Sequence, residues 1–294
     1  MKSLFYFRIK DNSGRSVATL AKILAVLAIC AGFYENMNVA TQDWEVLGAI
    51  LMNGLFVYLA IIVIFWLVFF FIALFIPRRV YTKPSRFCYW MLNLGYETLN
   101  FCARIRIFAT GLEKIPTDTC FMFVSNHRSR FDNMIQSPVL NNTDLAFVSK
   151  PSNFKIPFGN RYIRRACYLK LDRTDIKQSA QTISDAINFL KNQVLSIGIY
   201  PEGTRSKTGE LLEFKNGCFK IALRGHCPIV VSTIVGTENI HKNFPWRRTT
   251  VQMDILDVIP YEKIKDMKTN EIGEMIYKMM DEHIKNIENN GEKV

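Results

Sequence analysis

Residues 121–132 have the sequence FMFVSNHRSRFD, in which a short apolar run leads directly into a polar turn. The apolar part is typical of a buried β-strand, and it places His127 at the point where that strand ends. Open α/β sheets bind their ligands in the crevice outside the carboxyl ends of the strands. The stretch therefore predicts a functional site at a strand end.

Strand and helix patterns alternate on either side of this stretch. Alternating basic and apolar residues at 104–107 predict the first strand, and further strands are predicted at 120–125, 145–149, 195–200, 229–235 and 251–259. Apolar residues recur at helical spacing across 175–194, with Thr174 or Asp175 as the N-terminal cap, and a closing helix begins at Thr269. The alternation predicts an α/β fold with a mixed sheet flanked by helices.

The net charge of the chain indicates what kind of partner it binds. The chain has 294 residues with 37 Lys and Arg against 26 Asp and Glu, which gives a net charge of +11. Such a balance predicts an anionic partner: nucleic acid, lipid headgroups or a phosphorylated substrate. The sequence has no helix-turn-helix, RNP or zinc-finger pattern, so no nucleic-acid partner is expected and a membrane is favoured.

The longest apolar run, 46–76, contains no Asp, Glu, Lys or Arg in its 31 residues. A helix rises about 1.5 Å per residue, so this run exceeds the roughly 30 Å hydrocarbon core of a bilayer and predicts a transmembrane helix. A shorter apolar stretch at 17–34, which contains Lys22, precedes it. Together they predict a transmembrane or membrane-embedded helical hairpin, with a re-entrant first helix or a cleaved signal peptide as alternatives.

Basic residues flank both ends of this predicted hairpin, whereas the connection at 35–45 has none. Lys and Arg accumulate in the cytoplasmic loops of membrane proteins. We therefore expect localisation in the cytoplasmic membrane, with the folded domain on the cytoplasmic side. The predicted division is 1–80 for the N-terminal membrane helices and 81–294 for the folded domain.

Two aromatic segments also bear on the membrane. Aromatic residues with few charges at 81–101 predict a segment that lies along the membrane interface. The sequence WRR at 246–248 fits an interfacial anchor and an ordinary exposed loop about equally well. The remaining histidines, His226, His241 and His283, have no charged partner at motif spacing and are expected to be structural or solvated.

His127 is followed five residues later by Asp132, which can turn back onto the imidazole. Histidine has an unperturbed pKa of about 6.5, which suits proton removal at neutral pH. A carboxylate on one ring nitrogen would fix the tautomer, stabilise the imidazolium and leave the other nitrogen free as a base, and Ser129 could orient the pair. The alternative is a hydrogen-bonded structural histidine, because this spacing alone is a weak signal.

A second polar segment, YPEGTRS at 200–206, also follows an apolar strand. Arg205 offers a bidentate fork for phosphate, and Gly203 lets the backbone approach a ligand closely. The alternative is a solvated turn with an ordinary salt bridge. Gly198 and Gly203 mimic a P-loop, but Thr204 and Arg205 replace its Lys-Ser/Thr pair, so nucleotide binding is not predicted.

Together the two segments resemble the glycerolipid acyltransferase family, and within it the 1-acylglycerol-3-phosphate acyltransferase type. The N-H-x-S-x-x-D motif of that family is complete in Asn126, His127, Ser129 and Asp132, and its F/Y-P-E-G-T-R-S motif is complete at 200–206. The resemblance implies the fold of the glycerol-3-phosphate acyltransferases for the acyltransferase domain, preceded by N-terminal hydrophobic helices.

Two weaker blocks of the family are recognisable. The segment 150–173 resembles the acceptor-binding block, with Ser152 or Asn153 where many relatives have Glu. This block implies a phosphate or glycerol contact for Arg173. Residues 228–230 resemble the last block, with Val231 in place of its second proline.

The resemblance also implies residue roles. His127 and Asp132 would be catalytic, with Asn126 and Ser129 in support. The implied substrate-binding residues are Arg173, Glu202, Gly203, Thr204, Arg205 and Lys215. Neither a metal nor a cofactor is expected, since a thioester is activated enough to react without one.

The implied reaction transfers a fatty acyl group from acyl-CoA or acyl-carrier protein to the sn-2 hydroxyl of 1-acyl-glycerol-3-phosphate, giving phosphatidic acid. The donor, the acyl chain length and the headgroup of the lysophospholipid acceptor stay open. The alternatives are another lysophospholipid acceptor, a CoA-independent transacylase, a hydrolase and a non-catalytic membrane lipid-binding protein. A hydrolase would need a serine nucleophile, and the chain has no G-x-S-x-G elbow.

Overall fold

The structure is a computed structural model that describes residues 43–289, with side chains from residue 48 onward. The described residues form two compact units, one ending at Pro77 and the other beginning at Arg78. The apolar stretch predicted at 17–34 lies outside the described residues. The division between residues 80 and 81 stays a prediction.

The first unit is built on helix α1, Asp43–Leu74. Within it, Gly48–Leu74 is a 27-residue span that contains an 18-residue window with a mean hydropathy of 3.1, and by length and composition it can cross a membrane. Its large apolar side chains are exposed, including Phe56 at 73% and Phe71 at 60%. A helix that is apolar all round and exposed fits a lipid environment. The prediction of a long apolar helix is confirmed, and it indicates association with a membrane.

The second unit contains a seven-stranded mixed sheet in the order β1-β7-β6-β2-β5-β3-β4. The strands are β1 (Ile105–Thr110), β2 (Met122–Ser125), β3 (Leu145–Ser149), β4 (Leu169–Lys170), β5 (Ser196–Ile199), β6 (Ile229–Val235) and β7 (Thr249–Ile259). Neighbouring strands are parallel except β6 and β7, which are antiparallel. The predicted α/β fold is confirmed, with the two-residue β4 as an addition to the predicted strands.

Helices flank the sheet and are joined to it by short 3-10 turns. The helices are α2 (Arg86–Cys102), α3 (Asp132–Val139), α4 (Gly159–Arg165), α5 (Ile176–Lys191), α6 (Lys220–Gly225), α7 (Ile240–Asn243), α8 (Tyr261–Ile264) and α9 (Thr269–Asn289). Asp175 caps α5, as predicted, because its side chain accepts a 3.0 Å hydrogen bond from the Gln178 N–H.

The central strands are buried on both faces, which explains their continuous apolar sequences. Gly198 in β5 illustrates how tightly they pack. A Cβ at this position would lie 2.6 Å from the ring of Phe147 on β3, so only glycine leaves room for that aromatic side chain. Packing of this kind fixes the register of the strands that end at the site.

One edge of the sheet collects several chain segments, and we call it the carboxyl edge. The parallel strands β2, β3, β5 and β6 end there, with Val124 in register with Ile199. Because β7 is antiparallel to β6 and parallel to β1, both β7 and β1 begin at the same edge. Residues that follow β2, β5 and β6 therefore lie at the same edge of the sheet as residues that precede β1 and β7.

Helix α2 occupies most of the segment predicted to lie along an interface. Ser85 caps it by accepting a hydrogen bond from the Cys88 N–H. One face is buried through residues such as Leu92, whereas Phe87 and Trp90 are 53% and 57% exposed on the other. Placement of this exposed face at a membrane stays a prediction.

Candidate active site

His127 and Asp132 form a hydrogen-bonded dyad directly after β2. The His127 Nδ1 atom lies 2.7 Å from the Asp132 Oδ2 atom. The imidazole is 22% exposed and Asp132 is fully buried. Since a carboxylate only accepts, Nδ1 carries the proton and Nε2 is the basic nitrogen. Among residues 43–289, Nε2 has no hydrogen-bond partner, so it is available to a substrate.

Asp132 is held in place by four donors. Its Oδ2 also accepts from the backbone N–H groups of Arg128 at 2.7 Å and Ser129 at 2.8 Å. Its Oδ1 accepts from the Thr237 hydroxyl at 2.6 Å. A carboxylate with this many hydrogen bonds is fixed in orientation and compensated for its burial. Asp132 therefore orients the imidazole rigidly.

The second motif clamps the backbone of the first through Glu202. Its Oε1 accepts a 2.6 Å hydrogen bond from the His127 N–H, and its Oε2 accepts a 3.1 Å bond from the Leu212 N–H. The His127 carbonyl in turn accepts from the Ser206 N–H at 2.8 Å. Burial of Glu202 raises its pKa to about 7, against the lowering effect of the two backbone bonds. Glu202 joins two loops that are 75 residues apart.

Arg173 lies over the second motif at Gly203. Gly203 has a φ of 71°, and a Cβ there would lie 2.7 Å from the Arg173 Nη2 atom. Glycine is thus required twice, for the left-handed backbone and for the approach of the guanidinium. The structure brings the residue predicted from the weaker block against the YPEGTRS turn. A cationic fork therefore lies beside the loop that follows β5.

Comparison with known sequences fits this arrangement. Residues 106–235, which span both motifs, match the family described as Acyltransferase. Through this segment the chain is similar to the acyltransferase family.

Three relatives are named 1-acyl-sn-glycerol-3-phosphate acyltransferase. The protein of Limnanthes douglasii is 26% identical over 173 residues, covering 56% of this chain and 58% of its own. Chloroplastic LPAT1 of Arabidopsis thaliana is 30% identical over 171 residues, covering 58% and 46%. The protein of Salmonella typhimurium is 27% identical over 160 residues, covering 52% and 61%. The chain thus spans about half of the length of the curated relatives it matches.

A solved structure shares the fold. The 1-acyl-sn-glycerophosphate acyltransferase PlsC of Thermotoga maritima superposes with a TM-score of 0.58 at 18% identity, covering 94% of this chain and 98% of PlsC. At this identity the similarity concerns the fold. It supports the mixed sheet and flanking helices described above.

In the candidate site, Tyr200 supports one face of the His127 imidazole. Its ring stacks on that of His127 at 4.2 Å between centroids and 12° between planes. The Tyr200 hydroxyl donates 2.7 Å to Gln136, whose amide donates 2.7 Å to Ser125. Burial, followed by the charge of Asp132, raises the pKa of Tyr200 well above its ordinary value. Tyr200 is therefore a neutral platform for the ring.

Arg128 ties the first motif to the C-terminal part of the chain. Its guanidinium contacts Glu238 at 3.1 Å and Glu288 of α9 at 3.0 Å, and its side chain is 2% exposed. Buried charges need such pairing. Neither the pairing of Arg128 nor the Thr237 bond to Asp132 was predicted, since the motif positions give no signal for partners more than 100 residues away.

The other predicted residues lie in different surroundings. Asn126 is 2% exposed and exchanges two hydrogen bonds with the backbone of Ile234, at 2.7 and 2.9 Å, so it joins β2 to β6. The Ser129 hydroxyl accepts from the Phe131 N–H at 3.3 Å. Both residues shape the turn that presents His127.

The remaining cations and Thr204 lie nearer the solvent. Thr204 and Lys215 are exposed, and Arg205 is half-buried. Lys215 donates through its backbone N–H to the Pro201 carbonyl at 2.8 Å, which places its chain segment beside the second motif. Roles in substrate binding for these three residues stay predictions.

One of the other histidines, His283, makes a contact that motif spacing does not show. His283 on α9 has a carboxylate partner, since its Nε2 lies 2.9 Å from the Asp254 Oδ2 on β7. The pair is 29 residues apart and forms only because α9 packs beside β7, which motif spacing does not reveal. His283 was expected to be structural or solvated, and this contact between α9 and β7 fits a structural role.

Proposed function

We propose that this chain transfers a fatty acyl group from a thioester to the sn-2 hydroxyl of 1-acyl-glycerol-3-phosphate, giving phosphatidic acid. The observation that carries the proposal is the His127–Asp132 dyad, with a free Nε2 beside a loop that holds an arginine fork. The names of the three sequence relatives favour the same acceptor. The donor is acyl-CoA or acyl-carrier protein.

The proposed step begins at the His127 Nε2 atom. This nitrogen removes the proton from the acceptor hydroxyl while the hydroxyl oxygen forms a bond with the thioester carbonyl carbon. The imidazolium that results is stabilised by Asp132 through Nδ1. When the tetrahedral intermediate collapses, the carbon–sulfur bond breaks and the leaving thiolate takes the proton from Nε2. The histidine is thus returned to its starting state.

The acceptor phosphate is proposed to bind Arg173 and Arg205, with Lys215 as a further cation. Arginine forks bind phosphate oxygens in pairs, which fixes the orientation of the glycerol as well as its position. Glu202 is proposed to act through the backbone, because both of its oxygens accept from N–H groups. Positioning supplies a large share of the rate enhancement in such a two-substrate reaction.

The membrane helix and the flanking charges set the proposed location. Arg78, Arg79, Lys83 and Arg86 follow α1. Basic residues next to a spanning helix favour the cytoplasmic side, and we propose that the acyltransferase domain lies there on the cytoplasmic membrane. We further propose residues 1–80 as the membrane region and 81–294 as the acyltransferase domain.

A thiol-release assay on the detergent-solubilised full chain tests the proposal. Acyl-CoA, and separately acyl-carrier protein, would be supplied with lysophosphatidic acid, glycerol-3-phosphate or other lysophospholipids, and lipid products followed by mass spectrometry. Thiol release with equimolar phosphatidic acid from lysophosphatidic acid is expected. Product from another acceptor alone would replace the acceptor in the proposal while keeping the chemistry.

Two controls separate the competing activities. Free fatty acid released in the absence of acceptor would indicate a hydrolase. Acyl transfer from a phospholipid donor without any thioester would indicate a transacylase. Absence of product with every donor and acceptor would contradict the proposed reaction and favour a lipid-binding protein.

A further inference from the structure

The loop 244–248, which we call the aromatic–basic loop, presents large apolar side chains to solvent. Trp246 is 83% exposed and Phe244 is 53% exposed. The two aromatic side chains lie two residues apart on one loop, and contiguous exposed apolar area of this kind is typical of interaction surfaces. Arg247 and Arg248 follow directly and are also exposed. The loop therefore combines apolar area with positive charge.

The loop is held in a defined conformation. The Arg247 N–H donates to the Asn243 carbonyl at 2.7 Å, and the Asn243 amide donates to the Thr249 hydroxyl at 3.0 Å. The Arg104 guanidinium donates to the Trp246 carbonyl at 2.9 Å. The exposure of Trp246 thus belongs to a loop whose backbone is hydrogen-bonded on both sides.

Positive charge surrounds the loop without compensation. Within the described part of the chain, no carboxylate lies within 4.0 Å of the cations at the loop. These cations are Arg104, Lys242, Arg247 and Arg248. Unpaired cations around exposed aromatic residues are complementary to a surface that is negatively charged and apolar beneath.

The sheet topology places this loop at the carboxyl edge. The loop immediately precedes β7, which begins at that edge because Val235, at the end of β6, pairs with Gln252. Arg104 immediately precedes β1, which begins at the same edge. The segment from β6 to the loop also carries Thr237, whose hydroxyl binds Asp132. The loop and the His–Asp dyad therefore share one side of the domain.

We propose that the aromatic–basic loop docks on an anionic lipid bilayer, with Trp246 at the level of the headgroups and the surrounding cations on lipid phosphates. Trp is enriched at membrane–water interfaces, and basic side chains are drawn to anionic lipid surfaces. The chain carries a helix long enough to cross a bilayer, so a lipid surface is present wherever that helix is inserted. An acidic protein would satisfy the cations as well, but a bilayer supplies both the anionic headgroups and the apolar layer beneath them.

Fluorescence of Trp246 tests the docking independently of any reaction. The other tryptophans would be changed in the full chain by Trp44→Phe, Trp66→Phe and Trp90→Phe, and the protein reconstituted into nanodiscs with and without anionic lipid. With anionic lipid we expect a blue-shifted emission, quenching by acyl-brominated lipids and loss of quenching by iodide. Emission as in water, with full iodide access in both lipids, would overturn the proposal.

A second measurement uses variants that keep the tryptophans. Arg247→Gln/Arg248→Gln should raise the apparent KM for an acceptor embedded in anionic vesicles, since each basic residue at such a surface is worth roughly fivefold in affinity. The turnover with a detergent-dispersed acceptor should stay unchanged. The matched control is Lys263→Gln/Lys268→Gln, which removes two exposed charges beyond the end of β7, at the opposite edge of the sheet.

The control variant separates docking from a general loss of positive charge. An equal rise in KM for both double variants would overturn the proposal, because it would show that net charge alone matters. An effect of Arg247→Gln/Arg248→Gln that persists in detergent, or that appears only with acyl-carrier protein as donor, would overturn it as well. The latter result would assign the loop to an acidic protein.

Discussion

The described part of the chain contains two arrangements in which an aspartate joins a histidine and a threonine. They are His127–Asp132–Thr237 at the carboxyl edge and His283–Asp254–Thr110 between α9, β7 and β1. The ring-to-carboxylate distances are similar, at 2.7 and 2.9 Å, and so are the threonine-to-carboxylate distances, at 2.6 and 2.5 Å. Hydrogen-bond length therefore does not distinguish them.

Three features do distinguish the two arrangements. His127 binds its carboxylate through Nδ1 and leaves Nε2 free, whereas His283 uses Nε2 and leaves only the nitrogen nearer its own backbone. Asp132 also accepts two backbone N–H groups, whereas Asp254 accepts from a side-chain amide. The second motif, which hydrogen-bonds the His127 backbone through Glu202, also holds Gly203 against the Arg173 fork. His283 lines an open cavity of about 580 Å³ together with acidic residues.

The comparison shows that hydrogen bonding to an aspartate does not by itself make a histidine a candidate base. The surroundings of the pair decide this. The outer nitrogen must reach a substrate, the carboxylate must be fixed, and a group that binds the substrate must lie alongside. The first arrangement meets these conditions. The second lacks the fork and joins the closing helix to the edge of the sheet, which is the position of a structural contact.

The largest expected effect is a difference in acyl-transfer rate between variants that lack one or the other histidine. His127→Ala should lower the acyl-transfer rate by about 10²–10⁴-fold, because proton transfer at the acceptor hydroxyl is lost. His283→Ala should keep turnover within about twofold, since no reacting atom is proposed near it. The measurement is thiol release by both variants at saturating substrates, with circular dichroism as the check on folding. Equal losses in both variants would contradict the distinction.

A smaller effect is expected from the two aspartates. Asp132→Asn should lower turnover by roughly a hundredfold, because the amide cannot stabilise the imidazolium and disturbs the Nδ1 tautomer. Thiol release at saturating substrates measures the loss, with circular dichroism as the check on folding. Asp254→Asn should keep turnover within about twofold, since no reacting atom is proposed near it. Wild-type turnover in Asp132→Asn would remove the proposed role of Asp132.

The first arrangement has a buried glutamate beside it, Glu202, which hydrogen-bonds the His127 backbone. Its titration gives the stability of the protein a pH dependence that can be measured. Burial raises the pKa of Glu202 from its ordinary value of 4.5 to about 7. The folded state thus favours the protonated form, so this contribution to stability is full below about pH 4.5 and is lost as the pH rises through about 7. Such a shift is worth on the order of 3 kcal/mol in the free energy of unfolding.

Glu202→Gln removes this titration. The unfolding free energy of the wild type should therefore fall relative to that of the variant between pH 4.5 and pH 8, by up to roughly 3 kcal/mol. Chemical unfolding of both proteins in detergent at several pH values measures the difference. Parallel pH profiles would show that Glu202 does not titrate in this range.

Much of this fold is readable from sequence because the signals are local. The apolar strands at 121–124 and 229–235 are buried on both faces, and continuous apolar sequence is the pattern that such strands require. The cap at Asp175 follows from a side chain that binds the next turn. By contrast, β4 has only two residues, too few for any periodicity.

In the candidate site, too, the local contacts could be predicted from the sequence and the long-range contacts could not. His127 and Asp132 were predictable because they lie five residues apart on one turn. Thr237, Tyr200 and the ion pairs of Arg128 were not, since the fold brings them there from distant positions. Glu202 was predicted to bind substrate, whereas in the structure both of its carboxylate oxygens accept hydrogen bonds from backbone N–H groups.

The smallest expected effect is the contribution of the His283–Asp254 contact to the stability of the protein. Burial opposes ionisation of Asp254, but hydrogen bonds from His283 and Thr110 outweigh it and lower the pKa of this carboxyl. The contact therefore adds stability above the ordinary pKa of aspartate, and this stability is lost as the pH falls through the lowered value. His283 is 34% exposed, so screening keeps the contribution to about 1 kcal/mol.

His283→Ala should accordingly unfold at slightly lower denaturant concentration than the wild type at pH 7. The difference should shrink as the pH falls from about 4 through the lowered pKa of Asp254, below which this carboxyl is protonated in both proteins. Turnover should be retained throughout the pH range in which the enzyme is active. Loss of turnover without loss of stability would show that His283 acts in the reaction, and the two arrangements would then have to be treated as parts of one site.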